Sequence, residues 1–338
     1  MNLFGTVLTY PAPSANYRGE SEENRTVIQK ITQGRHEYAI ISPEAMRNAM
    51  REMLRAYGLP CNRERLEPRA GKKRSTEGEG EDEKQQLAVK FTDYPDPERF
   101  ADDFFFGYLL AVKGKEMEKL RKEKLENYPL KRDSILRMNL AKALEPYRHD
   151  AIFTQSPQIK DSPWEPGGGE GKASSALLHR ETTFTAFQYP FAINLNDCGL
   201  GDPKHGKTRK KWLLMLLKSI SELNGVAGNH ARSYFEMAPA SIVLRLSGSM
   251  VAGYDTYGFQ PDGSFPEVTN GILAGDYPGS EFYIGGRIVR EVLKPEETAE
   301  LARKEVKLFR MASAAIDAVA RLPQVCGEGL PPQKKEGA

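Results

Sequence analysis

The chain has 338 residues, of which 39% are hydrophobic and 28% are charged, and its formal net charge is +2. This composition is typical of a soluble globular protein, and the near-neutral charge argues against a protein that is basic over its whole surface. No apolar run approaches the ~20 residues of a membrane span, and the first residues lack the basic region of a signal peptide, so the sequence predicts a cytoplasmic protein without a membrane partner.

The first part of the chain predicts a strand, two further short strands and a helix. LFGTVLTY is apolar and β-branched enough for a strand, which Pro11 and Pro13 would end. TVIQKIT and EYAIIS are two short strand candidates, and Ser42 with Pro43 then begins a helix that Gly58 closes. This helix carries a basic stripe with a spacing of four residues, formed by Arg47, Arg51 and Arg55.

The middle of the chain predicts an exposed insertion followed by mixed elements. Residues 62–86 contain almost no large apolar side chains, which is typical of exposed segments. LAVKFT at residues 87–92 is a strand candidate, and residues 98–128 have the pattern of two helices that meet near Gly114. The pattern of RDSILRMNLAKAL fits a strand or a helix, and both remain open.

The next part of the chain contains a glycine-rich loop, a strand and a helix. The loop ends in PGGGEGK but lacks the phosphate-binding-loop pattern, because Pro166 stands where the first glycine is required. Residues 181–195, ETTFTAFQYPFAINL, alternate as in a strand and carry aromatic side chains on both faces. TRKKWLLMLLKSISEL predicts a helix that stops at Asn224 and Gly225.

The last part of the chain predicts strands, one long helix and a tail. PASIVLRLS is a strand, EFYIGG and VREVL are short strand candidates, and a helix is predicted from Pro295 to Arg321. Residues 323–338 are predicted to be a flexible tail. The order of the elements predicts an α+β fold with a ferredoxin-like alternation of strands and helices, interrupted by insertions.

The glycine-rich turn from Gly225 to Arg232 has two interpretations. Backbone N–H groups at Gly225 and Gly228 could bind a phosphate, with Asn229 and Arg232 adding contacts. A glycine that ends a helix, followed by an ordinary connection, would explain Gly225 alone. The residues by themselves leave both interpretations open.

No catalytic or metal-binding pattern is evident in the sequence. The histidines form no HExxH motif, and the three cysteines are far apart and never in CxxC spacing. The sequence therefore predicts no catalytic residue, no metal and no cofactor. Basic stretches at residues 63–74 and 204–211 suit loops that contact a polyanion, although solvated loops have the same composition.

Five segments of the chain, taken in order, carry a resemblance to a known family: FGTVLTYPAPSANYRG, EYAIISPEAMRNAMREML, KRDSILRMNLAKALEPY, HRETTFTAFQYPFAI and GVAGNHARSYFEMAPASIVLRL. They resemble the DevR-like branch of the CRISPR-associated backbone proteins, the seventh Cas family of the RAMP superfamily. The resemblance covers about residues 2–250, with a looser match at 62–128 and in the carboxyl-terminal part. Members of this family are RNA-binding subunits of type I Cascade-like complexes.

The resemblance implies a modified RNA-recognition-motif palm, which is ferredoxin-like, with a helical finger insertion and a β-hairpin thumb. The palm would comprise residues 1–60 and 208–322, the finger 61–150, and the thumb 151–207. The tail at 323–338 would lie outside these three parts.

The resemblance also implies a non-catalytic protein that coats guide RNA (crRNA) and presents it for pairing with target DNA. Its partners would be crRNA, copies of itself in a helical array, and the capping, large and small subunits of a Cascade complex. A downstream helicase-nuclease or a transposition machinery would act with the assembled complex.

Residues at the RNA-contacting positions of the family pattern become the candidate site. Most are arginines, asparagines or glycines suited to phosphate, and two are phenylalanines suited to bases. They are Asn16, Arg18, Arg25, Arg47, Arg51, Arg132, Arg137, Phe184, Phe187, Gly225, Gly228, Asn229 and Arg232.

Two other functions compete with RNA coating. The first is an endoribonuclease of the same superfamily, either one that processes guide RNA with His36 as acid or base, or one with a catalytic aspartate after the first strand. Residues 11–26 contain glutamates but no aspartate, which argues against the second form. The second function is a DNA-binding regulator, but nothing in the sequence resembles a helix-turn-helix.

Overall fold

A computed structural model shows an α+β fold, as the sequence predicts, with a large mixed sheet and several helices. The ranges that the structure describes are residues 1–14, 17–22, 25–65, 89–110, 128–155, 177–226 and 236–331.

The strands are numbered in chain order. They are β1 Asn2–Thr9, β2 Ala12–Ser14, β3 Tyr17–Glu22, β4 Arg25–Ile28, β5 Lys30–Gln33, β6 His36–Ile41, β7 Arg63–Arg65, β8 Val89–Phe91, β9 Tyr108–Leu109, β10 Lys131–Arg132, β11 Leu136–Met138, β12 Ala141–Ala143, β13 Asp150–Gln155, β14 Leu177–Thr185, β15 Phe187–Asn194, β16 Pro239–Ser247, β17 Phe282–Gly286 and β18 Lys307–Phe309.

The helices are numbered in the same way. They are α1 Pro43–Ala56, α2 Ala101–Phe106, α3 Gly206–Ser221, α4 Pro266–Ala274, α5 Pro295–Arg303 and α6 Ala312–Ala320. A 3₁₀ turn at Gly279–Glu281 and a π-helical turn at Ile288–Val292 flank β17.

The main sheet has the strand order β18-β17-β16-β1-β15-β12-β6-β5, and β11 also pairs with β15. At its centre, β1 is antiparallel to both β15 and β16. The connection from β1 to β12 contains α1, and the connection from β15 to β16 contains α3. Each of these helices therefore links two strands that are separated in the sheet by one other strand.

Helices cover both faces of the main sheet. Val7 on β1 belongs to the core under α1, α3 and α6, whereas its neighbour Leu8 belongs to the core under α4 and α5. Successive residues of a strand point to opposite faces, so β1 is buried on both sides. The first helix forms where the sequence predicts it, because Ser42 Oγ accepts a hydrogen bond from the Ala45 N–H at 3.2 Å and Pro43 follows it.

A second sheet has the order β13-β14-β4-β3, and β2 also pairs with β14. Strand β14 ends at Thr185 and β15 begins at Phe187, with only Ala186 between them, so a single extended segment runs from the second sheet into the main sheet. This segment is the one that the sequence predicts as a strand with aromatic residues on both faces.

The carboxyl-terminal part differs from its prediction. The long helix expected from Pro295 to Arg321 is divided into α5 and α6 by β18, which pairs in parallel with β17. Glu305 has a positive φ of 68°, which ends the helical path after α5. VREVL is a π-helical turn for most of its length rather than a strand. The long helix is divided because β18, only three residues long, is fixed by its pairing with β17.

Tertiary packing also decides the conformation of RDSILRMNLAKAL, for which the sequence leaves strand and helix open, and the point at which the predicted tail begins. RDSILRMNLAKAL is extended, and it supplies β11 and β12 to the main sheet. The tail does not begin at residue 323, because Val325 and Cys326 are buried against the core. The Leu330 N–H also donates to Asp317 Oδ1 at 2.6 Å, so this segment packs beside α6.

The main sheet extends beyond the segments that the resemblance assigns to the palm. Strands β11 and β12 fall within the predicted finger and β15 within the predicted thumb, yet all three lie in the main sheet. Conversely, β2, β3 and β4 fall within the predicted palm and lie in the second sheet. Among the described residues, no helix has both the length and the hydropathy needed to cross a membrane.

Candidate nucleic-acid interface

Several candidate residues lie near one end of the main sheet, at which β1 ends and β16 begins. Thr9 pairs with Pro239 there, and the Phe187 N–H donates to Thr9 Oγ1 at 2.9 Å. Strand β15 therefore starts at the same place, and β14 leaves it towards the second sheet. We call this region the Thr9 end of the main sheet.

The glycine-rich turn enters the main sheet at the Thr9 end. Its two stems are held together, since Asn224 pairs with Glu236 and the Met237 N–H donates to the Leu223 carbonyl at 2.7 Å. Tyr189 Oη also donates to the Met237 carbonyl at 2.9 Å. The structure thus fixes where the turn begins and ends.

Gly225 is exposed and has a φ of +67°, a conformation that favours glycine. Helix α3 ends at Ser221, so Gly225 belongs to the turn and does not directly cap the helix. Gly228, Asn229 and Arg232 lie outside the described residues. The sequence prediction of phosphate contact at these three positions stays a prediction.

One face of the second sheet exposes an aromatic side chain. Phe184 on β14 is 68% exposed, and its strand partner on β2 is the exposed Pro13. Arg180, four residues before Phe184, lies on the same face of β14. It pairs with Ile152 on β13, which is 47% exposed. An exposed aromatic ring on a strand that also carries an arginine is suited to stacking on bases.

The opposite face of β14 is anchored in the protein. Glu181 is buried, and its Oε2 accepts hydrogen bonds from the Ile28 N–H at 3.1 Å and from Tyr147 Oη at 3.2 Å. Because side chains alternate along a strand, this anchoring leaves the Phe184 face outward.

Phe187 does not share the exposure of Phe184. It is 1% exposed and belongs to the core of the main sheet. Its ring is therefore not accessible to RNA, contrary to the prediction, because the extended segment is part of the core of the main sheet at this position.

Arg51 on α1 is a structural residue in this fold. It is 3% exposed, and its Nε donates to Asp102 Oδ2 at 3.1 Å. Its Nη1 donates to Asn48 Oδ1 at 2.6 Å, and its guanidinium lies 5.3 Å from the centre of the Phe106 ring. Burial lowers the pKa of Arg51, and Asp102 opposes this effect. We therefore remove Arg51 from the candidate RNA contacts.

Arg47 keeps more of its surface. It is half-buried, and its Nη2 donates to the Leu136 carbonyl at 3.5 Å. Its buried Nε has no hydrogen-bond partner among the described residues. Burial lowers the pKa of Arg47, the charge of Glu44 opposes this effect, and the positive charge of Arg63 adds to it.

The two remaining arginines of the predicted site differ in exposure. Arg137 on β11 is exposed. Arg132 is half-buried, and its guanidinium lies 5.6 Å from the centre of the Phe104 ring. Arg137 is the better placed of the two to contact a polyanion.

The first-loop candidates lie largely outside what the structure describes. Asn16 is outside the described residues, and at Arg18 and Arg25 the structure describes the strand but not the side chain. RNA contact by these three residues stays a prediction.

The structure reveals a basic group that the sequence does not suggest. Arg287 and Arg290 follow the end of β17 and lie against Tyr10, which follows the end of β1. The sequence predicts a strand at VREVL. If that strand extended back to Arg287, Arg287 and Arg290 would be three residues apart and on opposite faces, so they would not approach the same tyrosine. The π-helical turn brings them together.

The described residues contain no group of three or more histidines, cysteines, aspartates or glutamates that could hold a metal ion.

The fold is similar to that of chains in solved CRISPR RNA-guided surveillance complexes. One, from a pre-nicking complex, has a TM-score of 0.59 and 13% sequence identity, with 95% of this chain and 99% of that chain covered. Another has a TM-score of 0.52 and 13% identity, with coverage of 95% and 98%. At this identity the likeness concerns the fold alone.

A curated protein of Myxococcus xanthus gives the sequence relationship. It is described as CRISPR-associated protein Cas7/Cst2/DevR, and it is 26% identical over 314 residues, which are 90% of this chain and 93% of that protein. No family model matches the chain. The resemblance to the DevR-like branch that the five sequence segments indicate is thereby confirmed.

Proposed function

We propose that this chain is a backbone subunit of a CRISPR RNA-guided complex that binds crRNA without cleaving it. The observation that carries the proposal is the similarity to a Cas7/Cst2/DevR protein over 90% of the chain. Copies of the chain would line up along the crRNA in the cytoplasm and assemble with the other subunits of a Cascade-like complex.

The topology supports a palm of the RNA-recognition-motif type. The four strands β16-β1-β15-β12 are antiparallel neighbours, and α1 and α3 connect them in the order of a split βαβ arrangement. The second sheet, which projects from the Thr9 end through β14, would serve as the thumb. The insertion that begins at β7 would serve as the finger.

The chemistry of the exposed candidates supports sequence-independent RNA binding. Arg47, Arg137 and the backbone of the glycine-rich turn suit phosphates, whereas the ring of Phe184 suits any base. Bases that are left facing outward could pair with target DNA, so the guide rather than the protein would read the sequence.

The test is to measure binding of the purified chain to single-stranded RNA and to duplex DNA at the same salt concentration. We expect tighter binding to RNA, and particles whose length grows with the length of the RNA. Tighter binding to duplex DNA would contradict the proposal and favour a DNA-binding regulator.

A second arm of the experiment addresses catalysis. CRISPR repeat RNA is incubated with the protein, with and without Mg²⁺ or Mn²⁺, and the RNA is analysed on a denaturing gel. We expect the RNA to remain intact, and a defined cut product that follows the protein through purification would refute the non-catalytic function.

A further inference from the structure

The basic group at the Thr9 end has a defined arrangement around one exposed tyrosine. Arg290 Nη2 donates to Tyr10 Oη at 3.3 Å, and Arg290 Nη1 donates to the Arg310 carbonyl at 2.8 Å. The guanidinium of Arg287 lies 5.8 Å from the centre of the Tyr10 ring. We call Tyr10, Arg287, Arg290, Glu291 and Arg310 the Tyr10 cluster.

The topology explains why these residues meet. Tyr10, Arg287 and Arg310 each follow the last residue of a strand, namely β1, β17 and β18. These strands end on the same side because Ser241, near the start of β16, pairs with Gly286, and Gly285 pairs with Phe309. The glycine-rich turn enters β16 at this same end.

The cluster carries an excess of positive charge. It contains three arginines and one carboxylate, that of Glu291, which accepts from Arg287 Nε at 2.7 Å and from Arg290 Nη2 at 3.3 Å. Within the described part of the chain, no hydrogen bond engages the Nη atoms of Arg287 or the guanidinium of Arg310. These groups can donate to an incoming anion.

The cluster also exposes an aromatic surface. Tyr10 is 47% exposed, and the neighbouring Met311 is 57% exposed. Three residues after Tyr10, Pro13 pairs with the exposed Phe184. The chain from Tyr10 to Pro13 therefore links the cluster to the exposed face of the second sheet.

We propose that the Tyr10 cluster binds single-stranded RNA, with Arg287 and Arg310 contacting phosphates and the ring of Tyr10 stacking on a base. Arg290 is a positioning residue, since it holds Tyr10 through the hydroxyl group and the β18–α6 connection through the Arg310 carbonyl. This inference rests on the proposed function and names a binding surface for it.

RNA fits this surface better than an acidic polypeptide does. The guanidinium groups of Arg287 and Arg310 can donate hydrogen bonds to phosphates, and the exposed ring of Tyr10 can stack on a base. A single strand of RNA offers both phosphates and flat bases along its length. An acidic peptide would use the arginines but would leave the Tyr10 ring without a matching partner.

The experiment measures the affinity of the full chain for a short labelled single-stranded RNA by fluorescence anisotropy over a range of salt concentrations. The double variant Arg287→Gln/Arg310→Gln is compared with the control Arg303→Gln/Arg321→Gln, which removes the same charge from exposed positions on or next to α5 and α6. Like Arg287, Arg321 has its Nε 2.7 Å from a carboxylate at i,i+4 spacing.

We expect the cluster double variant to bind roughly tenfold more weakly at 0.15 M salt, with the slope of log K against log salt reduced by about 1.4, as the loss of two phosphate contacts requires. The control should change affinity less than about twofold, since distant exposed charges are largely screened. Tyr10→Leu should lower affinity about fivefold or more with little change in slope, because stacking involves no released counterion. Tyr10→Phe keeps the ring but removes the hydroxyl group that Arg290 holds, so its affinity should lie between that of the unchanged protein and that of Tyr10→Leu.

The outcomes separate this inference from the proposed function. Absence of RNA binding by the unchanged protein would refute both. RNA binding that is equal in the cluster variant and in the control would overturn the inference and leave the proposed function standing. Loss of self-association or of acidic-peptide binding, with RNA affinity unchanged, would assign the surface to a protein partner and also overturn it.

A folding defect in the double variant would not end the test. Thermal unfolding of each variant identifies such a defect, and the single variant Arg310→Gln then replaces the double variant. Its side chain is exposed and has no partner among the described residues, so we expect native stability and roughly fourfold weaker RNA binding, with the slope reduced by about 0.7. An unchanged slope in this variant would overturn the inference.

Discussion

Phe184 and Phe187 are three residues apart on one extended segment and have opposite environments. Phe184 is 68% exposed on the second sheet, whereas Phe187 is 1% exposed in the core of the main sheet. Strand β14 ends between them, at Thr185, where the segment crosses from one sheet to the other. The two rings therefore have different roles despite their identical chemistry.

Replacement of Phe184 by alanine tests its role in base stacking. We expect Phe184→Ala to weaken binding of single-stranded RNA by about 1–3 kcal/mol, the usual value for one stacked base, with little loss of stability because the ring is exposed. Affinity measurements and urea unfolding on the same preparation check both parts.

Phe187→Ala is the matched comparison. It should lower the free energy of unfolding by about 3–5 kcal/mol, as truncation of a buried phenylalanine does. If Phe184→Ala lost as much stability as Phe187→Ala and kept its RNA affinity, the proposed role of Phe184 would be refuted.

Asp103 on α2 is a buried carboxyl group whose titration links stability to pH. Burial raises its pKa to about 6, and the neighbouring Asp102 adds to the rise, while hydrogen bonds from Asn62 and from the Asp96 N–H and the charge of Arg63 oppose it. A raised pKa favours the protonated carboxyl in the folded state. The proton on Asp103 therefore stabilises the folded state fully below pH ~4, and this stabilisation is lost as the pH rises through 6.

Asp103→Asn should remove this dependence. We expect the difference in unfolding free energy between Asp103→Asn and the unchanged protein to grow as the pH rises from about 4 to about 7, with the variant relatively more stable at the higher pH. Urea unfolding at a series of pH values measures it. A difference that is constant with pH would show that Asp103 titrates at its ordinary value.

At the scale of elements, a buried polar network joins α1, α2 and the start of the insertion. Asp102 accepts from Arg51 Nε at 3.1 Å, from the Asn62 N–H at 2.8 Å and from the Arg63 N–H at 3.1 Å. The Asn62 side chain in turn donates to Asp103 Oδ2 at 2.8 Å. The network fixes where the chain leaves α1 for β7 and so sets the base of the proposed finger.

Removal of Arg51 should destabilise this junction. We expect Arg51→Met to lower the free energy of unfolding by about 3–5 kcal/mol, because it leaves Asp102 buried without its counter-ion. Arg321→Met, at an exposed pair, should cost no more than about 1 kcal/mol. Equal small losses in urea unfolding would contradict the structural role of Arg51.

Local sequence patterns predict those helices and strands that have clear capping residues or a regular spacing of apolar residues. Helix α1 is recognisable from Ser42, Pro43 and its apolar spacing, and β1 and β16 from their apolar, β-branched runs. The division of the predicted long helix into α5 and α6 has no such signal. Strand β18 owes its conformation to its pairing with β17.

The sequence identifies candidate RNA contacts by residue type, but whether each of these side chains is exposed depends on the tertiary structure. Arg137 and Phe184 are exposed as an RNA contact requires, but Arg51, which shares a spacing of four residues with Arg47, is buried by α2. The partner of Arg51, Asp102, is 51 residues away. The approach of Arg287 and Arg290 to Tyr10 spans a still longer separation and could not be predicted from the sequence.

At the scale of the whole molecule, the Thr9 end brings the proposed RNA contacts together. The second sheet, the entry of the glycine-rich turn and the Tyr10 cluster all lie at or adjoin this end of the main sheet. A basic surface of limited extent is compatible with a net charge of only +2, which results from 48 lysines and arginines and 46 aspartates and glutamates in the whole chain.

The sequence by itself determined the α+β class, the central strands and helices, and the resemblance to CRISPR-associated backbone proteins. Hydrophobic periodicity, capping residues and short motifs are local properties, so they can be recognised along the chain. The tertiary structure alone decided the strand order, the crossing of β14–β15 between two sheets, and which arginines are buried. These features depend on contacts between residues far apart in the chain, and such contacts leave no local pattern.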